Sequence, residues 1–94
     1  MRFVFALIAV FVLLSSSAFA MDTKAAGQCI ALGALSREYQ AKAEALLATA
    51  QRTGYGALVD QRVREEFAFL NKNKGDKSVT DGWARQAVHA CNKF

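Results

Sequence analysis

Only two cysteines occur in this chain of 94 residues, Cys29 and Cys91, and they bracket most of the chain beyond an apolar N-terminal segment. A disulfide between them closes a loop of about 62 residues, worth about 4 kcal/mol by the loss of chain entropy in the unfolded state. That is comparable with the entire stability of a small domain. The pair therefore predicts a structural staple and an oxidising compartment, where such a bond persists. Two cysteines and one histidine, His89, do not make up a zinc ligand set, so no metal site and no cofactor is expected.

The compartment is also written at the N-terminus. Arg2 is followed by an apolar run from Phe3 to Leu14, then Ser15-Ser16-Ser17 and the A-x-A sequence Ala18-Phe19-Ala20. This order predicts a secretory signal peptide over residues 1–20, cleaved before Met21, with one domain over 21–94. The run falls short of the roughly 18 to 20 apolar residues a membrane span requires. No cysteine follows the cleavage point and no arginine pair precedes the run, which points to the general secretory route of a bacterium and a periplasmic or secreted product.

Without its first 20 residues the chain has a thin apolar inventory. Fourteen alanines match in number all its Leu, Ile, Val and Phe together, about a fifth of the segment and near the level at which chains fail to fold. A domain so small and so poor in large apolar residues needs a covalent staple.

No proline interrupts the chain, and the apolar spacing is helical throughout. Leu32, Leu35, Tyr39, Ala43, Leu46, Leu47 and Ala50 recur at three and four residues, predicting one long helix over Gln28 to Arg52 that Gly54 terminates. A break near Gly33, a residue that suits a bend or a close crossing, is the alternative, and Glu38 precedes Lys42 at the spacing of a surface pair. A second helix over about Ala57 to Asn71 places Val59, Val63, Phe67 and Leu70 on its buried face and pairs Asp60 with Arg64. In the third, Ser78-Val79-Thr80-Asp81 reads as a capping box, and Trp83, Ala87, Ala90, Cys91 and Phe94 point inward. The predicted fold is all-α: a small three-helix domain in which two shorter helices pack on a long first one. Bridging Cys29 to Cys91 then excludes a plain up-down-up arrangement, whose last residue lies at the pole opposite its first.

Catalytic constellations are missing. His89 falls on the outer side of the third helix, and Glu65 and Glu66 point about 100° apart, so they cannot flank one scissile bond. There is no glycine-rich phosphate loop, and the net charge of about +3 after residue 20 is too modest for a nucleic-acid partner. The expected activity is binding without catalysis, as an inhibitor, immunity-type or envelope accessory protein, acting as a monomer or weak homodimer. Its candidate partner surface comprises Tyr55, Leu58 and Phe69 beside Lys72, Lys74 and Lys77. Ala34, Ala41, Ala45 and Ala48 form a strip of small residues on the back of the first helix that suits close packing by a second molecule. The rival expectation is a carrier whose alanine-lined helices enclose an apolar ligand near Trp83. In layout the chain resembles small exported bacterial proteins with an alanine-rich helical body and a cysteine near each end, a likeness that implies no activity.

Overall fold

A computed structural model describes residues 21–94; the expected signal peptide lies outside them. Four helices occupy this segment: α1 (Thr23–Leu35), α2 (Arg37–Arg52), α3 (Gly56–Lys72) and α4 (Lys77–Cys91). The all-α class holds, but the long first helix is two helices.

The break falls at Ser36, whose backbone is extended (φ −138°, ψ 121°) and whose N–H closes α1 by donating to the Leu32 carbonyl at 2.8 Å. Beyond it the chain reverses. Gly33 meets Ala43, and Ala26 shares an apolar cluster with Ala50, so α2 returns along α1. Gly33 is the close crossing: a Cβ there would overlap that of Ala43 and lie 3.0 Å from the Tyr39 carbonyl oxygen. The apolar spacing runs unbroken across Ser36 because both arms of the reversal bury their stripes in the same core. Leu35 pays for this continuity of pattern, since the reversal turns it out to 63% exposure.

The remaining boundaries follow local chemistry. Asp22 caps α1, its Oδ1 accepting from the Ala25 N–H at 3.0 Å, so the helix begins five residues before the expected Gln28. Gly54 takes the left-handed conformation (φ 84°) as expected, and the Tyr55 N–H donates back to the Ala50 carbonyl at 2.8 Å. The expected capping box at Ser78 is not the start of α4. Asp76, an equally good cap two residues earlier, accepts from the Val79 N–H at 3.3 Å, and Asp81 instead binds Lys77 at 2.9 Å.

An even number of alternating helices brings the chain back to its starting pole. α3 runs alongside α1 in the same direction, with Val59 beside Ala26 and Arg62 over Gly27, and α4 then returns antiparallel. Cys29 and Cys91 bond with their Cα atoms 4.8 Å apart. Two polar contacts secure the same end: Lys93 Nζ lies 3.7 Å from Asp22 Oδ2, and Lys42 Nζ donates to the Cys91 carbonyl at 3.2 Å. Lys42 thus neutralises the negative end of α4 rather than pairing with Glu38.

The core centres on α1. Cys29, Ala31 and Leu32 pack with Leu46, Trp83, Ala87 and Cys91, while Ala26 joins Ala50 and Val59 in a second cluster, and Ile30 touches both. Besides Leu35, three expected core residues lie elsewhere: Leu47, Phe67 and Phe94 are 37%, 37% and 43% exposed. Phe94 follows the end of α4 and has no helix to aim it inward. On α3 the place expected of Phe67 goes to Glu66, one residue earlier, whose carboxylate accepts from the Trp83 indole N–H at 2.8 Å. The Asp60 to Arg64 pair forms as expected, at 2.8 Å.

Candidate interaction surfaces

Of the six residues expected to form one partner surface, five flank or occupy the two ends of α3 and Lys77 opens α4. Tyr55 precedes the helix and packs half-buried against the cluster of Ala26, Ala50 and Val59. Leu58, one turn on, is 57% exposed. Phe69 shares its face of the helix, but 11 residues of rise separate the two by about 16 Å. Between them Arg62 and Glu65 form an ion pair at 3.2 Å, and the Arg62 stem covers Gly27. The apolar side chains are therefore divided by a charged pair.

The lysines divide as well. Lys72 ends α3 and Lys74 lies in the following turn, both exposed and with no ion pair among the described residues. Lys77 opens α4 and is committed to Asp81, whose hydrogen bond and charge raise the ammonium pKa above its ordinary value. What the fold brings together is a corner at the end of α3: Phe69, Lys72 and Lys74, with Phe67 on the opposite shoulder of the helix. Asn73 fixes this corner by donating from Nδ2 to the Phe69 carbonyl at 2.8 Å.

A second surface arises from the break at Ser36. Between α1 and α2 lies a cleft of about 510 Å³, floored by Ile30, Gly33, Ala34 and Ala43 and flanked by Leu35 and Leu47. Arg37, Gln40 and Glu44 line its rim along one face of α2. Gln40 donates to Glu44 at 3.3 Å, while Arg37 and Glu44 make no ion pair among the described residues. No pattern in the sequence marks this cleft, because its two walls are one continuous stripe until the chain reverses. Trp83, expected beside a ligand cavity, is 6% exposed and packed in the core.

A smaller cleft of about 140 Å³ lies between the start of α1 and the end of α4, where exposed His89 neighbours Gln28, Gln86 and Lys93. Its chemistry is sparse. Both cysteines are bonded to each other, the buried Glu66 is engaged by Trp83, and no cluster of three His, Cys, Asp or Glu residues occurs among the described residues. No helix among those residues is long and apolar enough to cross a membrane.

The described residues form a disulfide-closed four-helix fold whose exposed large apolar side chains pair up at the α1–α2 elbow and at the end of α3, with Leu58 and Phe94 exposed singly. No protein-family model, curated protein or solved structure matches the chain.

Proposed function

We propose that this is an exported, non-catalytic interaction protein, of the inhibitor, immunity or envelope-accessory kind, which engages a protein partner at the end of α3. The observation that carries this reading is Phe69, 43% exposed one turn from Lys72, with Lys74 in the turn that follows and neither lysine in an ion pair among the described residues. An aromatic anchor beside free cations suits a partner that offers an apolar pocket rimmed by carboxylates. The engagement of Glu66 by Trp83 and of the two cysteines by each other supports binding over catalysis, since these groups are committed to holding the fold.

A photo-crosslinking residue placed at position 69 tests it in the cell of origin. A discrete adduct is expected there, absent when the crosslinker replaces exposed Asp60 on the far side of α3, and lost when Lys72 and Lys74 are changed to Glu. The same adduct from both positions, or none from 69, overturns the surface. Phe69→Ala is expected to leave the melting curve in place.

The cleft at the α1 and α2 elbow supports a second reading, a carrier of a small apolar ligand, because its volume lies within the range of small-molecule sites. Native mass spectrometry of protein purified from its own compartment separates the two. A co-purifying small molecule favours the carrier, and its absence favours the interaction protein.

A further inference from the structure

The elbow cleft has a self-complementary charge pattern. Along the exposed face of α2, Arg37 and Glu44 are seven residues apart, about 10 Å by helical rise. Both line the cleft, and neither has an ion pair within the chain among the described residues. An apolar ligand satisfies neither charge, and an anionic one satisfies only Arg37. An occupant that answers both presents an anion and a cation at the same separation in reversed order. The α2 helix of a second copy, run antiparallel about a twofold axis, does so.

We propose that the elbow is a homodimer interface in which Arg37 of each protomer faces Glu44 of the other across antiparallel α2 helices. Twofold interfaces require this reciprocity, each residue meeting the partner of its own partner. The register that sets position 37 against 44 has further consequences. It places Leu47 of one copy three residues beyond Arg37 of the other, over the elbow beside Leu35. The two large apolar side chains left 63% and 37% exposed at this cleft are thereby covered together. Ala41 and Ala48, within about 40° of Arg37 around the helix, let the helices approach closely along the same face. The interface lies on α2 and the Phe69 corner on α3; both sit at the pole where α1 ends, but they use different residues, and the interface stands whether or not that corner binds a partner.

The test is a charge swap on the mature, oxidised protein, read by sedimentation equilibrium from micromolar to millimolar concentration. Wild type is expected to reach twice the protomer mass. Arg37→Glu and Glu44→Arg, each alone, are expected to remain at the protomer mass by setting like charges opposite each other. The double variant is expected to recover the dimer. Leu47→Asp is expected to stay monomeric with an unchanged circular dichroism spectrum, since the residue is outside the core. A wild type that stays monomeric at millimolar concentration overturns the proposal. So does a dimer insensitive to the single changes, or a double variant that fails to re-form it. A bound small molecule in a monomeric wild type likewise assigns the cleft to a ligand and overturns self-association.

Discussion

Helices α1 and α3 run in the same direction side by side, yet they solve opposite problems. α1 has 13 residues, of which Lys24 alone is charged, and eight are buried against three neighbouring helices. Its burial rests on small side chains, with Gly27 under Arg62 and Gly33 under Ala43. α3 is longer and richly charged, and only Val59 and Glu66 along it are buried. The difference shows how a chain poor in large apolar residues still forms a core: one helix is thin enough to be surrounded, which frees the large side chains of another for the surface. Backbone proximity at α1 replaces the bulky interdigitation of an ordinary core.

That contrast can be broken most severely at the staple. Replacing Cys29 and Cys91 by serine is expected to cost about 4 kcal/mol, measured by urea denaturation, because a loop of about 62 residues regains its freedom in the unfolded state. A loss below about 1 kcal/mol would mean that the helices hold their ends together without the bond. Gly33→Ala comes next, at about 3 kcal/mol, since the added methyl meets the Cβ of Ala43 and the Tyr39 carbonyl, neither of which can swing aside. A neutral outcome would show that α1 is less tightly enclosed than its burial implies. Glu66→Ala is expected to cost about 2 kcal/mol by leaving the buried Trp83 N–H without an acceptor, and Glu66→Gln less, as it keeps an oxygen there. Equal losses from the two would place the value of Glu66 in its charge. Phe69→Ala is the smallest effect, under about 0.5 kcal/mol by the same measurement, as befits a surface position. A larger loss would move Phe69 into the core and erase the difference between the two helices.

Much of this architecture is legible residue by residue. Gly54 announces the end of α2 because the left-handed cap it adopts is a local property of the backbone. Val59, Trp83, Ala87, Ala90 and Cys91 are buried as helical spacing predicts. The break at Ser36 is illegible for the opposite reason. Neither proline nor glycine occupies the junction, and periodicity records which face is buried without recording a change of helix direction. The local hints are Gly33, three residues before the junction and the place of the alternative break, and Ser36 followed by Glu38, a residue type favoured at helix starts ahead of an acidic first turn. Glu66 was hidden because a carboxylate beside a buried stripe reads as solvated until a specific donor, Trp83, arrives from another helix. The elbow cleft inherits the invisibility of the break that creates it.

The sequence by itself determined the helical class, the end of α2 at Gly54 and the two ends of α3 to within a residue, because propensity and glycine conformation act within a few residues. Its two cysteines also set the demand that the last helix return to the first. Only the tertiary structure decided how that demand is met, by a fourth helix made from half of an apparent long one. The reason is physical: a 3.6-residue apolar stripe is equally satisfied by one straight helix or by two that fold together, and which occurs depends on contacts such as Gly33 on Ala43 between residues on different helices.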